Sequence, residues 1–146
     1  MTIYTIGFTQ KTAEHFFQLL KEHQVQLLVD IRLNNKSQLA GFTKGEDLRY
    51  FLKEICGCGY IHCEEYAPTK EILDDYKKKR IDWDGYVSRF LPLMARRGAA
   101  KKFPERFTGY ERVCLLCSEP TPEYCHRRLL AELIQEQAPD ILVTHL

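Results

Sequence analysis

Two spacings of apolar residues alternate along the chain. Continuous runs of four or five residues are separated by stretches in which apolar residues recur at i, i+3, i+4 and i+7. The first kind suits strands buried on both faces, and the second suits helices with one buried face. Ile3-Tyr4-Thr5-Ile6-Gly7 reads as a strand ending in a glycine turn. Thr12 then fits the N-cap of a helix whose Ala13, Phe16, Phe17 and Leu20 pack inward. Leu27 to Ile31, Tyr60 to Cys63, Val113 to Cys117 and Ile141 to Thr144 are the further strand runs. Helical spacing returns from Gly45 to about Gly57, through Leu48, Phe51, Leu52 and Ile55, and again after Pro68-Thr69, through Ile72, Leu73 and Tyr76. Asp82 is a candidate N-cap for the broadest stripe: Trp83, Tyr86, Val87, Phe90, Leu91 and Met94. The last helix is expected to start with Thr121 as N-cap and Pro122 in the first turn, with Leu129, Leu130, Leu133 and Ile134 buried.

Strand and helix alternate nearly throughout, which argues an α/β fold: a single three-layer domain, residues 1–146, with a mostly parallel sheet of about five strands and helices on both faces. Arg32 to Thr43 has no clean period and reads as an extended loop. From Gly98 to Arg112 the signals weaken, and that segment is expected to be mobile, with Phe103, Phe107 and Tyr110 covering part of a basic surface. The aromatics of the broad stripe are expected to be core rather than a ligand box.

Composition narrows the class. At 146 residues, 45% hydrophobic and 28% charged, the chain can bury one proper core. Its apolar runs are too short to span a membrane and its start lacks the charged-then-apolar pattern of an export signal, so a cytoplasmic protein with no membrane partner is expected. The six cysteines, at positions 56, 58, 63, 114, 117 and 125, are then expected as reduced thiols rather than a disulfide framework. Net charge is +1, yet residues 70 to 112 carry twelve basic against seven acidic side chains. Lys77 to Arg80, Arg96-Arg97 and Lys101-Lys102 read either as a solvated helical face or as a phosphate or nucleic-acid contact.

The chemistry gathers at strand ends. In open α/β sheets ligands bind beyond the carboxyl ends of the strands, and here those ends carry Gly7 and Thr9, then Asp30 and Arg32, then His62, Cys63 and Glu64, then Cys117 and Glu119. Asp30 and Arg32 can equally be read as a structural ion pair. Tracing back from Leu129 and Leu130 turns Cys125 and His126 toward the sheet, while Arg127 and Arg128 are expected at the flanks, Arg127 free to clasp a phosphate. A thiol near a helix N-terminus and beside an imidazole can be a nucleophile, so Cys117 or Cys125 is the candidate, with Asp30, Glu119 and His126 as acid/base groups and Gly7, Thr9, Arg32, His62 and Arg127 as binding groups. Cys56, Cys58 and Cys114 read as structural. Cys114 and Cys117 cannot share an ion across a strand unless the strand ends early; a looser site from Cys117, Cys125, His126 and His62 is an alternative, but no metal is expected, and the sequence leaves any cofactor unknown.

Leu27 to Arg32 is similar to a strand of rhodanese and cysteine-phosphatase-like domains, yet no cysteine here has an arginine six positions on, as their phosphate loop requires. Tyr4-Thr5-Ile6-Gly7, Val29-Asp30-Ile31-Arg32 and Cys117-Ser118-Glu119 followed by Cys125-His126-Arg127 together resemble domain-of-unknown-function family 488 across almost the whole chain. Phe8 stands where many relatives look like they carry His, and Leu33-Asn34-Asn35 replaces a Pro-containing loop. The resemblance implies a small α/β protein of mainly bacterial or archaeal type with a site at Gly7, Asp30, Arg32, Cys117, Glu119, Cys125, His126 and Arg127, and it assigns no reaction. Three readings follow: an enzyme on a phosphate-bearing small molecule or nucleic acid, a thiol-based redox or metal-responsive module, and a noncatalytic nucleic-acid-binding module.

Overall fold

The five apolar runs become β1 (Thr2–Gly7), β2 (Leu27–Asp30), β3 (Gly59–His62), β4 (Arg112–Cys117) and β5 (Leu142–His145), all parallel, in the order β3-β2-β4-β1-β5. These elements are taken from a computed structural model, which describes residues 1–36 and 40–146. Of the loop expected over Arg32 to Thr43, positions 37–39 lie outside the described residues. The helices are α1 (Ala13–Glu22), α2 (Gly45–Phe51), α3 (Lys70–Lys77), α4 (Trp83–Arg97), α5 (Ala99–Arg106) and α6 (His126–Gln137). Among the described residues no helix is long and apolar enough to cross a membrane.

Alternation along each strand divides the core in two. Ile3, Val29, Val113 and Leu115 face a cluster built with α4, α5 and α6, including Phe90, Met94, Phe103, Leu130 and Ile134. Ile6, Leu28, Cys114 and Leu116 face the other, built with Phe16, Phe17 and Leu20 of α1, Leu48 of α2 and Leu52 just beyond it. The chain therefore leaves β1 and β2 toward one face and leaves β4, which lies between them, toward the other. Divergence of neighbouring connections opens a crevice at the strand ends, and β4 delivers Cys117 into it.

Local chemistry accounts for most boundaries. Thr12, Thr69 and Asp82 cap α1, α3 and α4, each accepting a backbone N–H of the first turn. Gly98, at φ 64°, ends α4 in the left-handed region and lets α5 start at once.

Four expectations are corrected. The segment after Gly98 is not a loose cover: Ala99, Ala100, Phe103 and Phe107 share one face and are buried in the core, with α5 packed on α4 and α6. Pro104 and the flanking glycines obscure that face in the sequence. Ile55 is exposed because α2 continues as a π-helical turn, Leu52–Cys56, whose wider period rotates it out of the core. The last helix does not begin at Thr121. Residues before proline avoid the helical region, so Glu119 and Thr121, each followed by proline, keep the turn open, and Cys125 becomes the extended N-cap. Arg127 is not at the flank: α6 lays it against β1, fully buried.

Gly7 holds this corner together. A Cβ there would run into the Glu119 carbonyl and stand 3.0 Å from an Arg127 guanidinium nitrogen. Gly7→Ala is expected to cost about 1–3 kcal/mol in urea unfolding, as overpacking does; unchanged stability would mean the β1 and β4 ends are not in this register.

Candidate functional site

The floor of the crevice is a group of three side chains. The Cys117 and Cys125 sulfurs and a His126 ring nitrogen all lie within 4.8 Å of one another, and all three residues are buried. His126 Nε2 lies 2.8 Å from the Ile31 carbonyl, so it must carry the proton and donate it. His126 Nδ1 is left facing Cys117 Sγ at 3.4 Å, able to take the thiol proton. Phe90 packs edge-on against the imidazole and fixes its plane.

Burial alone would push the Cys117 thiol up. The Cys125 S–H, the Arg127 guanidinium and the Ser118 and Glu119 backbone N–H groups outweigh it and hold Cys117 below its ordinary value. The N-terminus of α6, starting at His126, adds its dipole on the same side. Cys125 moves the other way, pushed far up by burial and by the neighbouring Cys117. Burial also raises Cys58, to about 12, and Cys114 and Cys63, so Cys117 is set apart from these by surroundings that lower it.

Arg127 supplies the fixed charge. Its Nε donates to Thr5 Oγ1 at 3.3 Å and one terminal nitrogen donates to the Glu119 carbonyl at 2.7 Å. The other terminal nitrogen has no hydrogen-bond partner among the described residues, and no carboxylate pairs with this guanidinium among the described ion pairs. A buried cation without an anion is costly. Cys117, which the Arg127 charge helps hold low, is the nearby group that can answer it as an anion.

Asp30 and Arg32 are committed to each other. Arg32 Nε and a terminal nitrogen clasp the Asp30 carboxylate at 2.9 and 2.7 Å, and the same terminal nitrogen donates to the Thr43 carbonyl at 2.7 Å. The Tyr60 hydroxyl closes the carboxylate at 2.6 Å. Burial opposes the Arg32 charge, but the Asp30 hydrogen bond and charge hold it above its usual range. Arg32 still borders the crevice through a surface that is 4% exposed, and its guanidinium stacks over Phe8 at 5.2 Å. His62 anchors the same loop, Nε2 lying 2.7 Å from the Arg32 carbonyl, and stands apart from the cysteines. Thr9 joins β1 to the β4 turn, its hydroxyl and backbone N–H both donating to the Ser118 carbonyl at 2.6 and 3.1 Å.

Above the floor lies a cleft of about 710 Å³. Cys117, Cys125 and His126 border it, as does the exposed Glu119. Its walls include residues that sequence reasoning assigned to core or left aside: Phe8 and Phe42 on the α1 side, Tyr76, Trp83, Tyr86 and Tyr124 on the α4 side, and the lysines Lys11 and Lys77. Trp83 and Tyr86 sit at i and i+3 of the stripe, indistinguishable by period from Phe90 and Met94 below them. A second hollow of about 630 Å³ between α1 and α2, bordered by Phe17, Phe42, Phe51 and Ile55, brings no thiol or imidazole with it. Most arginines of the basic middle third are occupied: Arg80 and Arg89 pair with Asp75, Arg106 pairs with Glu65, and Arg97 donates to the Glu65 and Ala67 carbonyls.

The three floor residues could hold a thiophilic ion as a Cys2His set, with His126 anchored through its second nitrogen. The buried Arg127 charge works against adding a cation there and favours a bare thiolate.

Fold and floor together define a parallel α/β protein with a thiol and an imidazole at the end of its central strand. The chain belongs to the DUF488 family, described as a domain of unknown function, whose model matches residues 12–134. Neither a curated protein nor a solved structure matches it. The match takes in Asp30, Arg32, Cys117, Glu119, Cys125, His126 and Arg127, while Gly7 and Thr9 precede it.

Removing the Arg127 charge should shift the Cys117 ionisation to higher pH, so thiolate absorbance in Arg127→Gln should rise at higher pH than in the native protein, and Arg127→Lys should restore part of the difference. Coincident titration curves for all three would show that Arg127 is not the counter-charge.

Proposed function

We propose that this protein is a cysteine-dependent enzyme in which Cys117 is the nucleophile and His126 the proton carrier. The observation that supports it is the surroundings of Cys117: a buried thiol held low by Arg127, backbone N–H groups and Cys125, bordering an open cleft. The thiol proton passes to His126 Nδ1, 3.4 Å away. The thiolate attacks an electrophilic centre of the substrate, the new bond forms to sulfur, and the departing group takes the proton back from Nδ1. The Ser118 and Glu119 backbone N–H groups that favour the thiolate would also favour negative charge developing beside it. Glu119, exposed at the rim, is the carboxylate free to act as a second acid/base, whereas Asp30 is consumed by Arg32 and Tyr60. A phosphate-bearing substrate would draw on Lys11 and Lys77, because Arg32 and Arg127 are held by protein groups.

An activated ester tests nucleophilicity independently of the natural substrate. With p-nitrophenyl acetate the protein is expected to release a burst of one p-nitrophenolate per chain and to gain one acetyl group on the Cys117 peptide. Cys117→Ser should abolish the burst and His126→Asn should slow it by about 10²-fold or more. A burst equal in Cys117→Ser and the native protein would end this reading.

The proximity of the Cys125 sulfur favours a second, redox reading. A peroxide would oxidise the Cys117 thiolate to a sulfenic acid, with the other peroxide oxygen leaving as water; Cys125 would then displace the sulfenic oxygen as a second water and form the disulfide. Non-reducing peptide mapping after mild peroxide should show Cys117 joined to Cys125. Progression straight to sulfinic acid on Cys117 would count against it. A noncatalytic nucleic-acid module has weaker support, since pairing of Arg80, Arg89, Arg97 and Arg106 leaves the middle third less free charge than its sequence suggests.

A further inference from the structure

The walls of the cleft carry information about what enters it. One wall, on the α1 side of the sheet, has Phe8 and Phe42; the other, on the α4 side, has Trp83 and Tyr124. Trp83 is rigidly backed, stacked on Tyr86 at 5.1 Å and 12° between planes, and Tyr124 meets it edge-on at 5.7 Å. Tyr124 is 58% exposed, an unusual placement for an aromatic that only fills a core. Aromatic side chains on both sides of the cleft give a planar ring apolar surface to pack against.

The cleft is not apolar at its edges. Lys11 enters from the turn after β1 and Lys77 from the last turn of α3, next to the exposed Lys78 and Lys79. Neither lysine belongs to an ion pair among the described residues. The side chains of Gln10, Asn34 and Ser118 add neutral hydrogen-bonding groups of both senses. At about 710 Å³ the space suits one small-molecule ligand. An occupant matching all of this has a planar ring with polar edges and a compact anionic group.

We propose that the cleft above Cys117 binds a nucleoside monophosphate, its base between the Phe8–Phe42 and Trp83–Tyr124 walls and its phosphate on Lys11 and Lys77. This deepens the enzyme reading and rests on it for the role of the site, but binding itself does not need the thiol. Single-stranded nucleic acid, which shares the same ring and phosphate, is disfavoured because the cleft is sized for one nucleotide and the neighbouring arginines are largely paired.

Trp83 is the one tryptophan of the chain, so its emission reports directly on the cleft. The probes are AMP, GMP, CMP and UMP, then adenosine, ribose 5-phosphate and an eight-residue single-stranded oligonucleotide, titrated against Trp83 emission and checked by equilibrium dialysis. At least one monophosphate is expected to bind saturably, with the matching nucleoside and ribose 5-phosphate each weaker by about tenfold or more. Lys77→Gln and Lys11→Gln should each weaken the monophosphate severalfold and leave the nucleoside unchanged. Monophosphate binding is read from Trp83 emission and thiol chemistry from the p-nitrophenyl acetate burst of the native protein, so a failure of one and a failure of the other are read separately. Nucleoside binding as tight as monophosphate binding, binding of the oligonucleotide alone, or no binding of any monophosphate up to about 1 mM would each overturn it.

Discussion

A guanidinium buried without a carboxylate is the constraint around which this corner of the protein is arranged. Arg127 is wholly enclosed, tied to Thr5 and to the Glu119 carbonyl, and one of its nitrogens has no partner among the described residues. Such a charge destabilises a fold unless something negative lies nearby. The side chain that answers it is Cys117, which its surroundings hold toward the thiolate although burial pulls the other way. Gly7 must be glycine for the Glu119 carbonyl to come close enough to accept from Arg127, and α6 must begin at His126 for Arg127 to reach β1. The thiolate and the packing of this corner are thus two aspects of one electrostatic arrangement.

The sheet order makes the arrangement usable. Because β4 sits between β1 and β2 and sends its chain to the opposite face, its carboxyl end opens between two helical layers rather than under one. Asp30, Arg32, Tyr60 and His62 brace one flank of that opening with a closed set of hydrogen bonds. Thr9 and the Ser118 carbonyl brace the other. Both braces hold the crevice open and leave Cys117, His126 and Glu119 as its chemically unspent groups. Division of labour among strand-end residues, some locking the backbone and some left available, is common where a rigid sheet carries a site on its loops.

Much of the fold was legible because its signals are local. Apolar runs of strand length, helical stripes and the caps at Thr12 and Asp82 stand in the sequence as they stand in the structure. The gathering of polar side chains at the ends of β1 to β4 was legible for the same reason, since those residues directly follow the apolar runs. What was not legible depends on tertiary partners. Whether Arg32 faces a ligand or Asp30 is decided by Tyr60 and Thr43, far away in sequence. Arg127 reads as a flank residue free to hold an anion until β1 is placed beside α6. Trp83 and Tyr86 have the same period as the core residues of their helix, and only the order of strands shows that this end of α4 overhangs the crevice. The packing of α5 was hidden by Pro104 and the flanking glycines, which weigh against helix locally and are overruled by burial, whereas the late start of α6 follows from the prolines after Glu119 and Thr121, whose local restriction prevails.

The central claim is that Cys117 alone among six cysteines is a poised thiolate, and site-resolved alkylation measures that directly. Iodoacetamide labelling of the folded protein, followed peptide by peptide across pH, should show Cys117 reacting with a midpoint below the ordinary thiol value of about 8.5, while Cys58, Cys114 and Cys125 stay protected until the protein unfolds. If Cys117 is as inert as its buried neighbours until unfolding, or labels only at the pH of an ordinary thiol, the account of this site is wrong.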